Sequence, residues 1–129
     1  MRYLKDFLLL DGDRYGFRDK RHRLYNDEII LSSAENKKFY GEFLDNNTDL
    51  NIKLDKISHS IENIRKVNSN LIGDITILDT LTGTIIQGLL DCGIGLTTSI
   101  RVTGIIIEDE IVIKLSLITF DLMEKHSGK

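Results

Sequence analysis

The spacing of apolar and polar positions changes period several times along the chain, and each change marks an element. "RYLKDFLLL" reads as a first strand, and the "DGDRYGFRDKRHRLY" that follows carries Gly and Asp turn signals with a basic cluster, which predicts a charged loop. From Asn26, "NDEIILSSAENKKFY" sets Ile29, Ile30, Ala34 and Phe39 near helical spacing behind an Asn cap and two early acids, a helix over roughly 27–38. "GEFLDNNTDL" is turn-rich and predicts a surface linker. In "IKLDKISHSIENIRKV" strand and helix periods mix, as in a strand broken near Lys56. "NSN" then turns the chain into "LIGDITILD", a strand with Ile75 and Ile77 on one face.

The period next switches to that of a helix. In "TLTGTIIQGLLDCG", Ile85, Ile86, Leu89 and Leu90 form an apolar stripe, Thr84 and Gln87 can make a capping box, and Gly93 is a natural stop. Beyond it, "TTSIRVTGIIIEDEIVIKLSLITFDLM" alternates through Thr98, Ile100 and Val102, turns at "EDE" and returns through Ile111, Ile113, Leu115 and Leu117, an antiparallel hairpin. The polar tail, 124–129, predicts fraying. These elements make a strand-rich chain punctuated by two helices, of α+β class.

With 129 residues the chain fits one domain, 1–129, large enough to bury roughly two thirds of its unfolded surface without a disulfide or metal. Its net charge of −3 provides no global attraction to nucleic acid or anionic membrane. The single cysteine, Cys92, lies in an apolar helix pattern and is expected to act as a small buried hydrophobe in a reducing compartment. The apolar runs of the N-terminus are too short for a signal peptide or a membrane span, so a soluble, unprocessed chain is expected.

Local chemistry is sparse. His22, His59 and His126 have no second His or Cys at metal-ligand spacing, so no metal is expected. No phosphate-binding glycine motif is present, and the Gly93–Gly95 pair follows a helix instead of opening one, so no cofactor is expected either. Arg18, Lys20, Arg21 and Arg23, interleaved with Tyr15, Phe17 and Tyr25, offer the one pattern that suits a nucleic acid, but such clusters are more often solvated loops or protein contacts. Ser99 lies on a predicted strand outside any G-x-S-x-G elbow, and its local surroundings alone do not mark it as a nucleophile.

The order of several short motifs adds to this. "RHRLYNDEII", "YGEFLDN", "KISHSIENI", "LIGDITILDTLTGTIIQGLLDCGIGLTTSIRVTG" and "LITFDL", from about Arg21 to Leu122, together resemble the prohead core proteases of tailed bacteriophages. In that family a G-E-L-x-H-P segment is followed by a strand, a G-x-x-x-I-L-D-T-x-x-G strand–helix junction and a G-[VI]-S-S-R-G-x-G segment. Gly73, Ile77, Leu78, Asp79, Thr80 and Gly83 match the junction; Ser99 falls on the first serine, Arg101 on the arginine and Gly104 on the last glycine. The resemblance implies a herpesvirus-protease-like fold, a small β-barrel or strongly bent antiparallel sheet with two packed helices. It also implies a serine nucleophile at Ser99, a histidine base and an arginine segment that helps stabilise the oxyanion.

The chain departs from that pattern where the chemistry sits. Asp45 stands at the position of the catalytic histidine and Asn46 at that of the proline, while Thr97, Ile100 and Val102 replace two glycines and the second serine. A carboxylate with a pKa of about 4 holds a proton too weakly to activate a serine near neutral pH, and loss of the base can cost roughly a factor of 10⁶ in turnover. His59, in "ISHSI", is the candidate replacement base, provided the fold brings it within about 3 Å of Ser99.

The resulting expectation is a non-catalytic, prohead-protease-like structural protein acting as an auxiliary or decoration component of a phage capsid. Its partners would be the major capsid protein or other head proteins, with a homo-oligomer possible, and it would be found in the virion after assembly in the host cytoplasm. The alternatives are an active capsid-maturation serine protease using Ser99, His59 and Arg101, and an unrelated small binding module.

Overall fold

In the computed structural model, which describes residues 1–43 and 52–125, the chain runs β1 (Arg2–Asp13), β2 (Gly16–Arg18), β3 (Leu24–Tyr25), α1 (Asp27–Ala34) and β4 (Phe39–Glu42). A 3-10 turn (Leu54–Lys56) then leads to β5 (Ile57–Val67), β6 (Asn70–Ile77), α2 (Leu81–Asp91), β7 (Leu96–Glu108) and β8 (Ile111–Glu124). The strands form one sheet in the order β4-β5-β6-β1-β2-β3-β8-β7. A bridge between Phe43 and Leu122 brings the β4 end round to β8, so the sheet curls into a half-barrel carrying the two helices.

The bent sheet and paired helices are as expected, but the sheet is mixed and not wholly antiparallel. β3 runs parallel to β8, with Leu24 opposite Ile111 and Tyr25 opposite Val112. Parallel neighbours need a long crossover, and here it is supplied by everything from α1 to β7.

Alternation along the strands fills the inside of the curl. β6 buries Leu71, Gly73, Ile75 and Ile77 in strict period two. Phe17, Tyr25, Ile61, Ile86, Phe120 and Leu122 meet them, all fully buried. The rings of Phe17 and Tyr25 therefore belong to the core, and of the aromatic residues in the basic segment only Tyr15 stays exposed, so the alternating base-stacking surface is not formed.

The helix ends explain the other differences. Asn26 caps α1 by accepting from the Glu28 amide (2.9 Å), as expected, but α1 stops at Ala34 because Asn36 takes a left-handed φ of 54° and Phe39 pairs with Ile61 in β4. α2 is capped by Thr80, whose Oγ1 accepts from the Gly83 amide (3.0 Å), and not by Thr84. Gln87 instead donates to the Leu78 carbonyl (3.3 Å), securing the strand–helix junction. Gly93 ends the helix with φ +81°. Cys92 sits at the C-cap and is exposed, since the buried stripe ends before it. A bulge after Arg101 takes Val102 out of the alternation begun by Thr98 and Ile100. At the other end Glu124 is still paired in β8 and the Lys125 amide donates to Gly95, so the fraying predicted from 124 does not begin there; 126–129 lie outside the described residues. No helix among the described residues is long and apolar enough to cross a membrane.

Candidate functional site

Ser99 lies on β7 directly opposite Asp121 of β8, and residues paired in this way point to the same face. Thr97 and Arg101 share that face with Ser99, two residues away on either side. β7 is the edge of the sheet, and Thr97–Val102 form one wall of a cleft of about 950 Å³. Leu8–Asp11 of β1 and the 18–23 segment form the others. Ser99 is half-buried in this wall, and among the described residues no side chain hydrogen-bonds its hydroxyl.

The 18–23 segment is held in shape by Asp19. Its Oδ1 accepts from the amides of Arg21 (2.9 Å) and Arg23 (3.0 Å), and its Oδ2 from the Tyr25 hydroxyl (2.8 Å). Burial and the Asp19 carboxylate push the Tyr25 hydroxyl up to about 12, so it remains a donor at any physiological pH. Lys20 and Arg21 are left exposed at the mouth of the cleft, and partial burial lowers the Lys20 ammonium.

Behind Ser99 lies a buried charged network. Arg101 Nε donates to Asp121 Oδ2 (2.8 Å), and its Nη1 lies 3.6 Å from Glu42 Oε2. The Glu42 amide donates to Asp121 Oδ1 (2.9 Å), and Glu42 Oε2 accepts from the Lys53 amide (2.9 Å). Burial raises the Asp121 carboxyl, opposed by the Glu42 amide and the Arg101 guanidinium. Arg101 therefore spans β7, β8 and β4 and pins the seam where the half-barrel closes. Sequence reasoning named Arg101 but missed Glu42 and Asp121; the only signal for Glu42 was its place after Gly41 in "GEF".

His59 is on β5, opposite Gly41 of β4, and is fully buried. Its Nε2 lies 2.8 Å from the Phe120 carbonyl and its Nδ1 2.8 Å from Ser58 Oγ. A carbonyl only accepts, so Nε2 carries the proton and donates, which makes Nδ1 the acceptor of the Ser58 hydroxyl proton. Burial lowers the imidazole to about 4, partly offset by the bond to Phe120. The strand sequence from His59 to Ser99 is β5, β4, β8, β7, so two strands separate the residues that carry them. Ser99, Arg101 and Asp121 are brought together. The ring nitrogens of His59 are engaged with Ser58 and Phe120 and not with Ser99. Asp45 and Asn46 lie outside the described residues.

The strand–helix junction has its own physical logic. Thr80 Oγ1 donates to the Ile57 carbonyl (2.6 Å) as well as capping α2, and a Cβ on Gly83 would stand 2.0 Å from the Leu78 carbonyl oxygen. The L-D-T-x-x-G pattern thus docks α2 against β5 and β6. Among the described residues no group of three or more His, Cys, Asp or Glu side chains could hold a metal ion.

No protein-family model matches this chain, and no curated protein sequence does. Among solved structures the fold is that of a capsid assembly protease. One match is to gp21 of bacteriophage T4, described as its capsid assembly protease, with a TM-score of 0.66 over 95% of this chain and 91% of that one, at 15% sequence identity. The half-barrel with two helices is therefore the fold that the motif order implied, reached at an identity that speaks to fold alone.

Proposed function

We propose that this chain is a capsid-assembly protein that keeps the prohead-protease fold without an activated serine, and that it serves as an auxiliary or decoration component of a tailed-phage head. The observation that carries this reading is the state of His59. Both ring nitrogens are committed within the β4–β5–β8 seam, and burial holds the imidazole neutral, so the histidine serves closure of the half-barrel. The Asp121 carboxylate beside Ser99 is likewise occupied, by Arg101 and the Glu42 amide. Asp45 stands at the family's histidine position, and among the described residues no side chain hydrogen-bonds the Ser99 hydroxyl, that of His22 on the facing wall of the cleft included.

On this reading the partners are the major capsid protein or other head proteins, and the chain is carried in the finished virion. The second reading, an active capsid-maturation endopeptidase, draws on one feature: Ser99 forms part of an open cleft flanked by strand edges. With His59 as its base it requires the ring to release Phe120 and reach across β8.

Labelling with a fluorophosphonate serine probe at about pH 7 to 9, where a histidine base is neutral, separates the two. The expected result is no Ser99-dependent labelling of the folded protein, alone or in assembled proheads. Labelling that disappears in Ser99→Ala would overturn the proposal by showing that Ser99 is an activated nucleophile.

A further inference from the structure

The apolar residues of α2 are divided between two faces. Ile86 and Leu90 turn inward, where the helix packs on β5 and β6. At about 100° per residue, Leu81, Ile85, Gly88 and Cys92 fall within an arc of about 60° on the opposite side. All four are exposed, Leu81 at 80% and Ile85 at 54%. A Cβ built on Gly88 would meet no described atom within 4 Å outside its own stretch of helix, so the middle of this face is open. A helix that is apolar on its outer face as well as its inner one is normally covered on both. The spacing 81, 85, 88, 92 also reads the same in either direction, with two large side chains at one end and two small ones at the other.

We propose that this outer face of α2 is a two-fold contact through which two copies of the chain associate with their helices antiparallel. An axis level with the midpoint between Ile86 and Gln87 sets Leu81 of each copy against Cys92 of the other, and Ile85 against Gly88. Each large side chain then meets a small one, and the notch at Gly88 lets the helix axes approach to about 8 Å, the near limit for packed helices. Parallel helices in register would instead set Leu81 on Leu81 and Ile85 on Ile85 and leave a void between the glycines. Charge favours the antiparallel pair as well. The first turn of α2 carries no acid and its last turn no base, so its own side chains meet neither pole of the helix there. An antiparallel copy places the carbonyl end of each helix, where Asp91 is held by Arg2, beside the amide end of the other. A stripe of this length covers on the order of 300 Å² on each copy, against roughly 800 Å² per partner in a standard interface, so the dimer is weak. It stands independently of the reading of Ser99.

Sedimentation velocity of the full chain under reducing conditions, from about 1 µM to 1 mM, should show a monomer–dimer equilibrium. Ile85→Glu and Gly88→Leu should each weaken it at least about tenfold, the first by placing a charge in the apolar centre and the second by filling the notch that takes Ile85. Both positions are exposed, so circular dichroism should show both variants folded. Oxidation reads the register. Position 92 of one copy lies about 16 Å along the helices from position 92 of the other, and the same holds for position 81. Neither the native chain nor Leu81→Cys combined with Cys92→Ser should therefore cross-link, whereas Leu81→Cys with Cys92 retained should give a covalent dimer. A monomer throughout the range, a dimer that either substitution leaves intact, cross-linking of the native chain in equal yield, or growth beyond a dimer would each overturn the proposal.

Discussion

The imidazole of His59 lies over Gly41, its partner across the β4–β5 ladder, so closely that a Cβ on the glycine would stand 2.4 Å from His59 Nε2 and 2.7 Å from the Phe120 carbonyl oxygen. Gly41 is therefore the space through which His59 reaches β8. Gly41→Ala should cost about 1–3 kcal/mol, the usual range for overpacking a filled core. Urea unfolding of Gly41→Ala, His59→Ala and the double variant should give a coupling above about 0.5 kcal/mol, because removal of the ring relieves the clash. Strictly additive losses would mean that the glycine is not there for the histidine.

The same histidine sets a pH dependence. Its folded pKa of about 4 lies below the unfolded value of about 6.5, so between those values the unfolded chain binds a proton that the folded chain does not. The stabilisation is complete above about pH 6.5 and is lost as pH falls towards 4, by about 3 kcal/mol in all. Asp121 works the other way, since a raised carboxyl pKa favours the folded state on acidification. Comparing unfolding of the native protein and His59→Gln across this window isolates the histidine: the native protein should show the steeper acid loss, and parallel curves would remove His59 as its source.

Breaking the buried charged network should be far more damaging than altering the serine beside it. Asp121→Ala leaves Arg101 buried without its closest carboxylate and should cost about 3–5 kcal/mol. Ser99→Ala removes a half-buried hydroxyl that no described side chain hydrogen-bonds and should fall within about 0.5 kcal/mol of the native protein. Denaturant midpoints for the two variants check the contrast.

At the strand–helix junction, Thr80→Ala removes both the α2 cap and the bond to the Ile57 carbonyl. A loss of about 1–2 kcal/mol is expected, with Thr80→Ser recovering most of it because the hydroxyl is what both bonds use. Thermal unfolding by circular dichroism reads the difference.

Much of this architecture was legible in residue order. Asn26 announced α1, Gly93 the end of α2, and the alternation around "EDE" the β7–β8 hairpin, because a cap or a period is a local property of adjacent residues. Ser99 and Arg101 could be singled out from a short motif. Their neighbours could not: Asp121 is twenty-two residues from Ser99 and Glu42 still further, and nothing in their local sequence says that they will be buried. The capping box at Thr84 misled because Thr80, four residues earlier, has the same chemistry and also meets the Ile57 carbonyl on β5.

By itself the sequence determined β1, β6, the two helices, the β7–β8 hairpin and, through the spacing of its motifs, the half-barrel fold, while β2 and β3 formed within its expected charged loop and β4 across its expected helix end and linker. Only the tertiary structure decided that β3 pairs parallel with β8, that Phe43 closes the curl on Leu122, and that His59 spends both nitrogens on that seam while Ser99 stands beside an Arg101–Asp121 pair. The physical reason is range. Periodicity and capping depend on residues within a few positions of one another, whereas the company a polar side chain keeps is set by strands that meet from distant parts of the chain, and that company decides whether a serine or a histidine does chemistry or holds a sheet together.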